Sequence, residues 1–247
     1  MQYNIKRDTP TTESYAELQY AYSHFNKTLF ENQLPNCLLT LQRKKGVYGY
    51  FSKQKFLNEN GRLVDEIAMN PSFFLVCPFV EIMQTLVHEM CHLWQSHFGT
   101  PGRGKYHNKE WAWKMESIGL MPSSTGKKGG KKTGDRMNDY SIDNGEFLNQ
   151  ANILASEDFI ISWKDRHPDR RMIIETMGLQ PNQKLNAAEE KELLSYGVTN
   201  VDYLFASTLN NSNRIKYCCP SCESNAWGKP SLNLICGDCS CSFVAIL

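Results

Sequence analysis

"TLVHEMCHLWQSHFGTPGRGKYHNKEW", Thr85 to Trp111, carries four of the chain's six histidines. Set on a helical wheel at about 100° per residue, the residues from Phe79 to His97 divide into two faces. Met83, Val87, Met90 and Trp94 form one apolar stripe. His88 and His92 lie almost opposite it, on the side of Glu81, Thr85, Glu89, Gln95 and Ser96. The pattern predicts a helix that buries one face and turns the other to a polar space. Histidines four apart on a helix can aim ring nitrogens at a single ion. His88-Glu89-Met90-Cys91-His92 is then an H-E-x-x-H motif, in which Glu89 moves protons and holds no metal. The competing reading is a solvated helical face with two surface histidines.

A catalytic zinc site takes three protein ligands and leaves one position open. Two histidines compete for the third place. His97 lies five residues past His92, on the core side of the wheel, with no glycine turn to swing it back. It reads as a packed histidine at the helix end. His107 follows "GTPGRGKY", a loop whose glycines and proline can reverse the chain. It stands at the mouth of a second short helix, Asn108 to Ile118, which presents Trp111, Met115 and Ile118 to the core and ends at Gly119. His107 is the preferred ligand.

Upstream, Leu18, Tyr22, Phe25 and Leu29 recur at helical spacing within 11–31. "CLLTLQR" and "VYGYFS", separated by "KKG", predict a two-stranded hairpin. "LVDEIAMNP" predicts a third strand closed by Asn70-Pro71, a strand suited to lining a cleft and pairing with an extended peptide. Downstream, "MPSSTGKKGGKKTGDRMND" has no apolar period and reads as a linker. Within it Lys127, Lys128, Lys131, Lys132 and Arg136 outweigh Asp135, so it is locally basic. The stretch from Tyr140 to Asn213 shows weaker helices, among them "NAAEEKELLSYG", and no assignable fold.

The residues around the histidines resemble the SprT-like metalloproteases, the group that includes Spartan. "HEMCH", the fifteen-residue step to His107 and "HNKEW" carry the resemblance, with "LQYAYSHFNKTLFENQLPNCLLTLQRKKGVYGYFS" and "DEIAMNP" before them. It spans about residues 14–121. It implies a zincin-like α+β fold and a peptidase whose best-described relatives cleave proteins crosslinked to DNA. About ninety residues separate this region from the next metal motif, more than in the typical arrangement.

That motif lies in the last thirty residues, which hold six of the nine cysteines. Cys219-Pro-Ser-Cys222 and Cys236-Gly-Asp-Cys239 are C-x-x-C knuckles thirteen residues apart, the spacing of a zinc ribbon. Four thiolates close a tetrahedral site, so this zinc is structural. Cys218 and Cys241 fall outside the regular spacing. Arg214, Lys216 and Lys229 near Tyr217 and Trp227 suit single-stranded nucleic acid, by stacking and phosphate contact. Equally, Trp227 packs the ribbon and the lysines are solvated, as those of the 127–132 stretch are in a flexible linker.

The charges nearly cancel, 27 basic against 26 acidic, which excludes a global polycation. No apolar run is long enough to cross a membrane, and the start of the chain has no signal-peptide core. A cytoplasmic location with reduced thiols is expected. The expected architecture is α+β: a zincin-like peptidase domain (1–121), a basic linker and middle segment (122–213) and a zinc ribbon (214–247). Two zinc ions are expected, one catalytic at His88, His92 and His107 and one structural at Cys219, Cys222, Cys236 and Cys239. The expected partners are a protein substrate and single-stranded DNA, the latter at Lys127, Lys128, Lys131, Lys132 and Trp227. The alternative is a nucleic-acid-binding protein that keeps the scaffold without proteolysis.

Overall fold

A buried strand and a buried helix set the frame of the larger unit. The computed structural model describes residues 9–157, 159–166, 168, 170–180, 183–196, 214–230 and 232–246. They fall into two compact units, Met1–Thr199 and Asn200–Leu247. The first eight residues of the signal-peptide reading, and 197–213 of the middle segment, lie outside the described residues.

Helix α1 (Pro10–Leu29) starts where the Thr9 side chain accepts from the Thr12 amide and Pro10 sits in the first turn. Its Leu18, Tyr22, Phe25 and Leu29 are buried at the predicted spacing. Two left-handed residues, Glu31 and Asn32, follow its C-cap Phe30. There the Asn26 amide clamps both backbone groups of Leu34, at 3.0 and 3.1 Å.

Three strands follow: β1 (Leu38–Leu41), β2 (Gly49–Leu57) and β3 (Leu63–Met69). The expected β1–β2 hairpin does not form. The order is β1-β3-β2, with β1 parallel and β2 antiparallel to β3. Burial overrides adjacency in the chain, since the last five residues of β3, Asp65 and Glu66 with Ile67, Ala68 and Met69, are all buried and a central strand is where that is possible. The strand expected to pair with a peptide therefore has both edges filled. Among the described residues, the free edge of this sheet beside the site belongs to β2. Asp65, buried in β3, accepts from the Gln54 amide at 2.6 Å and holds a bulge in β2 at left-handed Gln54.

Helix α2 (Phe79–Phe98) carries the H-E-x-x-H motif. It is buried more completely than its wheel implies. Glu89 and Gln95, on the polar side, are buried along with Met83, Leu86, Val87 and Met90. The polar space is enclosed by protein, and β2 covers part of it. A Cβ on Gly49 would stand 2.9 Å from Thr85 Cγ2 and 3.1 Å from the Ala68 carbonyl, so only glycine lets β2 approach α2 this closely.

Helix α3 (Lys109–Ser117) is capped by Asn108, whose side chain accepts from the Trp111 amide. Gly119, at φ +93°, then turns the chain where a side chain would strike the Glu146 and Phe147 amides. The expected linker begins within a strand. Strands β4 (Leu120–Ser123) and β5 (Asn138–Ser141) pair antiparallel, so a boundary at residue 121 would divide β4. The lysine-rich stretch is the connection between them. It is organised by Ser124 N–H donating to Lys131 O, at 2.8 Å, and by Ser123 Oγ donating to Lys127 O, at 2.5 Å. Its serines and glycines supply turn chemistry that composition alone reads as flexibility.

Helix α4 (Glu146–Ser156) then packs on α1, with Phe147 against Phe25 at 5.9 Å between ring centres. Glu17 of α1 accepts from the Ser162 amide and hydroxyl. Helices α5 (Arg170–Met177) and α6 (Ala187–Ser195) follow, the latter with a capping box at Asn186 and Glu189. No helix among the described residues is long and apolar enough to cross a membrane. The smaller unit is a sheet of β6 (Ile215–Cys218), β7 (Asn225–Gly228) and β8 (Val244–Ile246), in the order β7-β6-β8.

Candidate metal centres

Helix α2 brings His88 and His92 to one side, and the loop before α3 returns His107 to face them. One ligand nitrogen from each lies within 4.8 Å of the others. His92 Nε2 and His107 Nε2 stand 3.1 Å apart. A tetrahedral ion with metal–nitrogen bonds of about 2.0–2.1 Å holds its nitrogens roughly 3.3 Å apart. Trp111, fully buried, floors the cluster, its ring 4.9, 5.3 and 4.4 Å from those of His88, His92 and His107.

The outer nitrogens decide which inner ones are free. His88 Nδ1 bonds Asp139 Oδ1 at 2.8 Å. His107 Nδ1 donates to the Gly134 carbonyl at 3.0 Å. Each ring therefore presents Nε2 to the shared point. Burial first, then the neighbouring histidines, hold His92 well below its ordinary pKa and His107 down at about 4. Both are neutral near pH 7, the form that binds metal.

The loop that delivers His107 is tied at both ends. At one, Gln95 of α2 donates to Asn108 Oδ1 and Glu110 Oε2, both at 2.7 Å, while Glu110 also accepts from the Thr100 amide. At the other, His107 and Gly134 exchange both backbone hydrogen bonds.

Glu89 is buried beside the cluster, and burial foremost lifts its carboxyl to about 7. The Phe51 amide of β2 donates to it. Asp139 is a second buried carboxyl, and neither has a lysine or arginine partner among the described residues. Burial works against the charged form of His88, yet the hydrogen bond and charge of Asp139 raise its pKa above the ordinary value, so Asp139 is paired with His88 and does not stand as an uncompensated charge.

His97 stands apart from this cluster. Its side chain is 37 % exposed and bonds the buried Asp65 at 2.5 Å, so the end of α2 is more open than the wheel suggests. Asp139, Gly134 and Gln95 escape a reading of the sequence. Asp139 and Gly134 sit in the stretch that composition marks as linker, and Gln95 looks like any polar residue on a wheel.

The second centre is local. Cys219, Cys222, Cys236 and Cys239 group their sulfurs within 4.8 Å of one another. The two knuckles share one geometry. Glu223 N–H donates to Cys219 O and Ser240 N–H to Cys236 O, and both donors are left-handed, at φ 58° and 55°. Cys218 and Cys241 are outside the group. Tyr217, not Trp227, packs the ribbon: it is buried, and its hydroxyl donates to the Lys229 carbonyl at 2.6 Å. Trp227 is 63 % exposed and lies directly across from Lys216, on the same face of the sheet. Of the four lysines between β4 and β5, Lys132 pairs with Glu116 at 2.9 Å and Lys128 with Asp143 at 3.7 Å.

The model of the SprT-like family matches residues 18–128. A Salmonella typhimurium protein described as "Uncharacterized protein in mucB 3'region" is 58 % identical over 59 residues, which are 24 % of this chain and 80 % of that protein. No solved structure gives a significant match.

Proposed function

Because the chain belongs to the SprT-like family, we propose that it is a zinc-dependent endopeptidase with a zincin-like catalytic domain. The observation that carries this reading is a buried glutamate beside the first of three histidines whose Nε2 atoms converge. His88, His92 and His107 would hold the catalytic ion, and the four ribbon cysteines a structural one. When bound, zinc supplies a Lewis acid that acidifies a water and polarises a peptide carbonyl. Glu89, with its carboxyl raised to about 7, accepts a proton from the attacking water and passes it to the departing amine. Trp111 shields the rings from solvent beneath. The free edge of β2 is the place for an extended peptide to add as a strand.

We place the substrates among proteins held on DNA. The supporting observation is the exposed Trp227 beside Lys216, a stacking platform next to a phosphate contact. Lys127 and Lys131, outside the two ion pairs of their loop, are the further candidates. The same observation supports a rival, a nucleic-acid-binding protein that does not cleave. Zinc-loaded protein and its Glu89→Gln variant, incubated with DNA-bound and free unfolded proteins with and without single-stranded DNA, separate the two. Cleavage by the first and none by the second supports the peptidase. Equal inertness of both, with DNA binding retained, leaves the rival.

A further inference from the structure

Resting on the reading that the histidines hold a metal, we propose that Asp139 is a positioning residue for that metal. By accepting the Nδ1 proton of His88 it fixes the tautomer that presents Nε2, and its buried charge strengthens binding of a divalent cation.

Four observations converge on it. Asp139 Oδ1 lies 2.8 Å from His88 Nδ1. Its side chain is only 7 % exposed, and its Oδ2 is buried with no hydrogen-bond partner among the described residues. A carboxylate so placed is costly unless positive charge stands near; the His88 ring is the nearest group that can carry it, and a cation where the three Nε2 atoms meet would supply it through that ring. The backbone pins the residue as well: its carbonyl accepts from Gln84 Nε2, at 2.9 Å, one turn before His88 on α2. Finally, the β4–β5 hairpin also supplies Gly134 to His107. One hairpin thus orients two of the three ligands. The family match stops at residue 128, short of both Gly134 and Asp139.

The test uses the full chain, stripped of metal and titrated with zinc against a chromogenic chelator, then with cobalt for its visible spectrum. The four-cysteine site, with its thiolate charge-transfer band, is the internal control. Wild type is compared with Asp139→Ala and Asp139→Asn. Asparagine keeps an oxygen for Nδ1–H and lacks the charge. The histidine-site affinity is expected to fall about 10–100-fold in the alanine variant and less in the asparagine variant. The cobalt spectrum of that site should change in both and the cysteine site in neither. Where the alanine variant fails to fold, the asparagine variant decides. Affinities within twofold of wild type and an unchanged spectrum overturn the role of Asp139. So does a lower melting temperature of the metal-free variants with unaltered zinc affinity. Wild type that holds no ion at the histidines overturns the metal reading and this proposal together.

Discussion

The histidine centre and the cysteine centre are built in opposite ways. In the ribbon, each knuckle delivers two ligands within four residues and closes its own turn, with the same hydrogen bond and the same left-handed residue in both copies. In the larger unit the ligands come from α2 and the mouth of α3, and their orientation comes from a hairpin further along. Among the described residues of the ribbon, Tyr217 is the one large hydrophobic side chain that is buried, whereas the histidine helix α2 packs against α1, α4 and the sheet. A metal bound at the first would hold the fold; one bound at the second would be held by it.

Four experiments sharpen or break this contrast. The largest effect is expected for the ribbon: Cys219→Ser with Cys236→Ser should unfold 214–247 outright, because the ion supplies most of such a module's folding free energy. His107→Ala should cost one ion per chain and leave the larger unit folded. Backbone NMR with metal analysis reads both, and a His107→Ala chain that unfolds like the ribbon variant would erase the distinction.

Next in size, Glu89→Gln should lower cleavage by about 10²–10⁴-fold, the range of general acid–base catalysis, with zinc content unchanged. Loss of zinc in that variant would make Glu89 part of the metal's support. A smaller effect is expected at the ribbon face. Trp227→Ala should cost about 1–3 kcal/mol of single-strand affinity, and Lys127→Ala with Lys131→Ala should flatten its salt dependence. Binding curves identical to wild type would remove DNA from the account and leave the peptidase standing.

The smallest effect belongs to His97→Ala. Metal content should not change, because His97 serves Asp65 and not the ion. Stability should fall by about 1 kcal/mol, since the ring is more than a third exposed and solvent screens the pair. Chemical denaturation with metal analysis checks both, and a lost ion would restore His97 as a ligand.

The misreadings have a common cause. "CLLTLQR" and "VYGYFS" look like partners because they are neighbours, yet β3 separates them, since burial and not adjacency selects the central strand. "SSTGKKGGKKTG" looks like a linker because it lacks an apolar period, yet its two serines fold it into a tight connection. Neither signal can be read in a window of ten or twenty residues.

The chain by itself determines what depends on spacing. Steps of four place His88 and His92 on one helical side with Glu89 flanking them, and C-x-x-C places two sulfurs per knuckle, because helix pitch and turn geometry are local. His107 is also legible, through the glycines and proline that turn the chain before it. Tertiary structure alone decides how those ligands are held. Asp139 meets His88 across 51 residues and Gly134 meets His107 across 27. Such contacts follow from how α2, α3 and the β4–β5 hairpin pack, and burial on every side turns a polar helix face into an enclosed pocket with its own charge balance.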